Sequence, residues 1–199
     1  MPYLKSILIF TLTCSSLIGC TSLESRKANE LWPSPSLVQP HGVVVEHGQF
    51  NSINGQFSID IPEMPFQTLD LGSEKAREQG IDVGKQFLWR FEKVLFTVTY
   101  TLPLDADGEP LDNDIKDMVS GSKKGVLRQN AKIISETPYI YGGFSGTELR
   151  YVSQEGLNFI CRIFKVGDIG YQVVGGYVDD SEQEALYVLD SFTAPTNPN

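Results

Sequence analysis

The chain has 199 residues, 41% of them hydrophobic, and a formal net charge of -9 at pH 7, a balance that disfavours nucleic acid as a partner because phosphate backbones are bound by clustered cations. Two histidines and three cysteines leave little material for a metal centre or for histidine-dependent catalysis. Roughly 155 residues follow His41, enough for one domain with a substantial core and too few for two.

The N-terminal stretch carries Lys5, an apolar run from Ile7 to Leu12, and a second run from Leu17 that ends in small residues before Cys20. This is the three-part layout of a secretory signal peptide. Thr11, Thr13, Ser15 and Ser16 interrupt it, so it is too short to span about 30 Å of hydrocarbon as a permanent helix. Leu17-Ile18-Gly19-Cys20 resembles the lipobox of bacterial lipoproteins. The resemblance implies cleavage before Cys20, a thioether from its sulfur to diacylglycerol and acylation of the freed amine. Several chains, each burying methylenes at about 0.8 kcal/mol apiece, hold a protein on a bilayer where one does not. The alternative is an ordinary secreted protein with a coincidental cysteine at its cleavage site.

The expected division is therefore a signal peptide over 1–19, a lipidated tether over 20–42 and a single domain over 43–195. Losing the leader removes Lys5 and no acid, which makes the mature chain about one unit more negative. Thr21 stands where an aspartate would resemble an inner-membrane retention signal. The expected address is the outer membrane, facing the periplasm, if the cell is Gram-negative, and otherwise the extracytoplasmic side of the cell membrane. Ser25, Pro33, Ser34, Pro35, Ser36 and Pro40 give the tether its composition, and about 3.1 Å per residue in an extended polyproline form gives it a reach of roughly 50 Å.

Cys14 leaves with the leader and Cys20 is modified, so Cys161 stands alone in the mature chain and no internal disulfide can form. It sits in the apolar run Leu157 to Phe164, where a small buried hydrophobe is expected in preference to a reactive thiol.

Along the domain, Gln56-Phe57-Ser58-Ile59-Asp60-Ile61 alternates apolar and polar residues and stops at Pro62, as a half-buried strand does. The runs Lys85 to Glu92 and Val94 to Leu102 read as one bent strand or two joined by a tight turn. From Leu111 to Lys132 the period changes, with Leu111, Ile115, Met118, Val119, Ser122, Val126 and Ala131 at three- and four-residue steps. This predicts an amphipathic helix begun by Asp112 and Asp114 and weakened by Gly121 and Gly125. Strands follow at Gly146 to Ser153, Leu157 to Val166 and Ile169 to Val178, joined by short glycine-containing turns as a meander requires. Ser181 to Leu189 predicts a closing helix with a serine N-cap and Glu182 and Glu184 in its first turn.

The sum is an α+β domain, an antiparallel sheet covered by helices. The opening Phe57-Ser58-Ile59-Asp60-Ile61-Pro62, the hairpin around Gly167-Asp168-Ile169-Gly170-Tyr171-Gln172-Val173-Val174 and the ending Val188-Leu189-Asp190-Ser191-Phe192 resemble the PsbP and Mog1 fold group over roughly Gln49 to Ala194. The resemblance implies a scaffold, with members that include photosystem accessory proteins, a binder of a small GTPase and bacterial lipoproteins. It brings no common active site, and no functional residue is carried over from it.

The residues themselves supply little chemistry. His41 and His47 with Glu46 would lie about 20 Å apart along one strand face, too far to share an ion. Gly142-Gly143-Phe144-Ser145-Gly146 lacks the spacing of a nucleophile turn and reads as a flexible loop. The acidic cluster Asp105, Asp107, Glu109, Asp112, Asp114 and Asp117 is out of register for an EF-hand and reads as a solvated loop and helix start. No phosphate loop or dinucleotide fingerprint is present. No catalytic residue, metal ligand or cofactor is assigned. Of the many aromatics, including Phe87, Trp89, Phe91, Phe96, Tyr100, Tyr151 and Tyr171, most are expected in the core. Tyr139, Tyr141 and Phe144, beside glycines, are the candidates for partner contact, unless the two tyrosines begin a strand and pack inward. The leading expectation is a membrane-anchored, non-catalytic binding or accessory module of the cell envelope, attached to the bilayer through acylated Cys20 and contacting an envelope protein. The rivals are a histidine-independent hydrolase using carboxylates such as Glu148 and Glu155, and a lipoprotein that binds a small ligand.

Overall fold

The computed structural model describes residues 43–46, 48–61, 63–71, 83–102, 114–178 and 180–195. The leader, Cys20, the tether, His41, His47 and the acids from Asp105 to Asp112 lie outside these residues. In chain order the elements are β1 (Val43–Glu46), β2 (Gln49–Ser52), β3 (Phe57–Ile59), β4 (Gln67–Asp70), β5 (Gly84–Arg90), β6 (Val94–Thr101), α1 (Ile115–Arg128), β7 (Lys132–Tyr141), β8 (Phe144–Val152), β9 (Asn158–Val166), β10 (Ile169–Tyr177) and α2 (Glu182–Asp190).

The strand-forming runs of β5 and β6 are two strands, not one: Phe91 N–H returns to the Val94 carbonyl at 2.9 Å, and the pair registers Arg90 against Leu95. They join a seven-stranded sheet of order β4-β5-β6-β10-β9-β8-β7, while β1, β2 and β3 form a separate small sheet. Every pairing is antiparallel. The expected meander from β8 through β10 is present, with both glycine-containing turns where they were predicted.

Strand alternation gives the large sheet two buried faces. On β9, Ile160 and Phe164 belong to one cluster with Phe50, Phe57, Phe87, Trp89 and Tyr171, which the small sheet and α2 cover through Ala185 and Leu189. Phe159, Cys161 and Ile163 point the other way, into a second cluster closed by Val126 of α1, with Ile115, Met118 and Val119 against it. The two helices therefore lie on opposite faces. Cys161, 1% exposed, packs as the expected small hydrophobe. Gly170 admits α1 to the sheet: a Cβ there would lie 2.6 Å from the Met118 methyl carbon.

The small sheet is stitched to the C-terminus and to the large sheet by specific bonds. Ser58 and Thr193 exchange backbone hydrogen bonds at 2.8 Å in each direction, and the buried Tyr171 hydroxyl donates to the Gly55 carbonyl at 2.7 Å. Burial raises the Tyr171 pKa well above its ordinary value, because a phenolate would lose its hydration there. The sign follows: the unfolded chain ionises near pH 10 while the folded Tyr171 stays protonated, so its contribution is intact below about pH 10 and lost as pH rises beyond it. Urea titrations at pH 8 and pH 11 should show the midpoint falling at the higher pH, and falling less in Tyr171→Phe. An equal fall in both proteins would refute the assignment.

Three expectations need correction. The central helix is shorter than Leu111 to Lys132: the Asp114 carboxylate accepts from Lys116 N–H at 3.1 Å to cap it, and Asn130, at φ 56, turns the chain out before Lys132 enters β7. Ser181 occupies the N-cap of α2 but its side chain makes no capping bond. The segment from Tyr139 to Phe144 is no flexible loop. Tyr139 and Tyr141 end β7, Phe144 begins β8, and Gly142 and Gly143, at φ 52 and 93, form a two-residue hairpin turn. β7 escaped notice because a bulge between Ile133 and Ser135 breaks its alternation and Pro138 reads as a breaker. Pro138 is tolerated because β7 is an edge strand, where a missing N–H donor costs no ladder bond on the outer side.

Candidate functional site

The three candidate contact residues come together at the β7–β8 hairpin, on the face covered by α2. Tyr141 stacks on Phe164 with ring centroids 4.6 Å apart, and its hydroxyl donates to the Ala194 carbonyl at 3.1 Å while accepting from the Ala194 N–H. Tyr139 lies 5.8 Å from Phe164. Phe144 is partly buried against the same cluster. The hairpin aromatics thus pack inward, the alternative reading of the sequence. The exposed apolar residue at this hairpin is Ile140, 72% accessible, on the opposite face of the strand.

Beside Tyr139 lies a chain of ion pairs. Glu148 and Arg162 face each other across β8 and β9, with Arg162 Nε 3.1 Å from one Glu148 oxygen and Arg150 Nε 3.1 Å from the other. Arg162 also reaches Asp190 at 2.6 Å, and Arg150 reaches Glu182 at 2.6 Å. Glu182 and Asp190 are the first and last residues of α2, so the two arginines hold the helix down at both ends. The Arg162 side chain is only 8% exposed and its guanidinium lies 4.9 Å from the centroid of the Tyr139 ring. Burial opposes its charge, but the Asp190 and Glu148 carboxylates and the Tyr139 ring more than offset this, and its pKa is raised. Burial also raises the Tyr139 pKa.

The carboxylates of the hydrolase reading do not face each other. Glu148 is committed to two guanidiniums, while Glu155 lies in the β8–β9 turn, beyond the end of β8 at Val152. Glu155 instead borders a cleft of about 270 Å³ at the β5–β6 hairpin, with Arg90, Lys93, Phe91, Phe159 and Tyr177. Among the described residues no group of three or more His, Cys, Asp or Glu is placed to hold a metal ion, and no helix is long and apolar enough to cross a membrane.

A larger groove, of about 510 Å³, runs between α1 and the β7–β8 hairpin. The α1 residues Ile115, Lys116, Val119, Ser120, Lys123, Lys124 and Leu127 form one wall, and Glu136, Ser145, Gly146 and Thr147 the other. Lys123 crosses it to Glu136 at 2.6 Å. Sequence reasoning missed both the groove and the arginine chain. Their signals were the helical spacing of Lys116, Lys123 and Lys124 and the same-face alternation of Glu148 and Arg150.

The architecture defines an antiparallel α+β domain with one helix on each face of its main sheet. No family model matches the chain, and no curated protein matches it in sequence. Solved structures do match in shape. Cyanobacterial PsbP (CyanoP) from Synechocystis aligns with a TM-score of 0.49 at 12% identity, over 82% of this chain and 98% of its own. PA94 from Pseudomonas aeruginosa, a protein of unknown function, aligns at 0.39 and 12% identity over 71% of this chain and 92% of its own. The Ran-binding protein Mog1p of Saccharomyces cerevisiae aligns at 0.36 and 10% identity over 71% and 91%. The antiparallel α+β class rests on the strand order described above.

Proposed function

We propose that this chain is a lipid-anchored accessory module of the bacterial cell envelope that works by presenting a binding surface and not by catalysis. The observation that carries the non-catalytic part is the state of Glu148: the carboxylate best placed for histidine-free chemistry is neutralised by Arg150 and Arg162 and ties α2 to the sheet. Both oxygens of this carboxylate are already engaged by guanidiniums in structural ion pairs and are not presented to a substrate, as a general acid or base must be. Support for the anchor comes from Leu17-Ile18-Gly19-Cys20, and Thr21 favours an outer-membrane address if the cell is Gram-negative.

Cys20→Ala tests the anchor. With the acylation site removed, metabolic labelling with a palmitate analogue should disappear and fractionation should find an unprocessed or soluble species. Unchanged labelling and membrane retention would overturn the reading. Crosslinking of the native chain in the envelope then identifies what the surface contacts.

A further inference from the structure

The connection between β2 and β3 carries a chemically labile pair. Asn54-Gly55 is the only Asn-Gly step in the chain, and it lies in the turn whose register sets Ser52 opposite Phe57. A following glycine gives the least hindered setting for attack by the backbone nitrogen on an asparagine side chain, because it puts no Cβ beside the attacking atom. Position 55 admits no larger residue without displacing its neighbours: a Cβ there would lie 2.6 Å from Tyr100 Cδ1 and 2.9 Å from the Phe57 ring. Packing therefore demands the glycine that makes Asn54 labile, while Asn54 itself is exposed.

The same turn restrains the reaction. The Gly55 N–H donates to Ser52 Oγ at 3.1 Å in a buried bond, the Gly55 carbonyl accepts from the Tyr171 hydroxyl at 2.7 Å, and the Gln56 N–H returns to the Ile53 carbonyl at 3.2 Å. Attack needs the Gly55 nitrogen deprotonated and swung toward the Asn54 side chain, and both demands break its bond to Ser52. Ser52 is buried, so water does not readily replace what is lost. We propose that Asn54 is a deamidation site that the native turn holds closed and that local opening of the small sheet releases. In the open turn the Gly55 nitrogen gives its proton to hydroxide, bonds to Asn54 Cγ and expels the side-chain nitrogen as ammonia. Water then opens the succinimide to aspartate or isoaspartate. The isoaspartate route adds a methylene to the backbone of a turn pinned by Tyr171 and by the pairing of Ser52 with Phe57, so the modified chain cannot remake all of these bonds. Opening of this turn is a local event, distinct from global unfolding.

Ageing the full chain at pH 8, with peptide mapping by mass and by the distinct retention of isoaspartate, provides the test. Conversion at Asn54 should run about twenty-five times slower in the folded chain than in urea, the product of about fivefold for each of the two bonds to Gly55. Ser52→Ala, which removes the acceptor of the Gly55 N–H, should speed conversion in the folded chain about fivefold. Glu148→Ala, which removes an ion pair on β8 and lowers the melting temperature, should leave the rate at Asn54 unchanged. Equal rates in the folded chain and in urea, no conversion in urea, no acceleration by Ser52→Ala, or equal acceleration by Glu148→Ala would each overturn the proposal, the last by showing that global unfolding and not the turn sets the rate.

Discussion

Glu148→Ala should destabilise the domain by about 3 kcal/mol, because it strips a nearly buried guanidinium of the more buried of its two carboxylates and leaves Arg162 with Asp190 alone. The Asp190 side chain is 65% exposed, so solvent screens the remaining pair and it compensates little. For a domain of this size that loss corresponds to a fall of roughly 10 °C in melting temperature, readable by calorimetry. The double variant Glu148→Leu with Arg162→Met should recover most of the loss, since replacing a buried pair by apolar groups of similar volume is close to neutral. A double variant as unstable as the single one would show that packing, and not charge, dominates at this site. Hydrogen exchange should rise first in α2, whose two ends the arginines hold.

Tyr141→Ala with Phe144→Ala should likewise cost about 3 kcal/mol or more, the range for truncating large aromatics that pack on a core. The stack on Phe164 and the paired bonds to Ala194 are both lost in this variant. Ile140→Ala, at the same hairpin but 72% exposed, should stay within about 0.5 kcal/mol. Urea denaturation of the two variants decides the matter: equal and small effects would restore the picture of a protruding aromatic loop, whereas the expected difference assigns the aromatics to the fold and leaves Ile140 facing outward.

The contrast between these neighbours shows what the chain made legible. Periodicity located β5, β6, β8, β9, β10 and both helices, because each pairs a regular apolar pattern with turn residues at its ends. It failed at β7, where a bulge shifts the register and Pro138 imitates a terminus. It also failed at β2 and β4, four residues each, too short for alternation to rise above chance. Cys161 was readable as core from its apolar neighbours. The arginine chain was not, since it depends on Arg162 facing Glu148 across two strands and on α2 placing Glu182 and Asp190 above them. The groove required knowing that α1 lies over the outer strands. Both are products of tertiary placement, to which local pattern is blind.

The order of the large sheet bears on how the chain assembles. β6, in the N-terminal half, is completed on its far side by β10, the last strand, and Ser58, paired with Asn51 on one side, is bridged on the other by Thr193. As synthesis proceeds, β4, β5 and β6 are therefore made long before the surface that closes them exists. The β7–β10 meander, built from neighbours in sequence, can form by short loop closures. The first half must then be gathered onto it across some seventy residues, as from Thr101 to Gly170, a long-range step that slows folding. Until that step the β6 backbone from Val94 to Thr101 lacks its β10 partner on one side, and an unpaired strand edge of this kind is open to association with other chains.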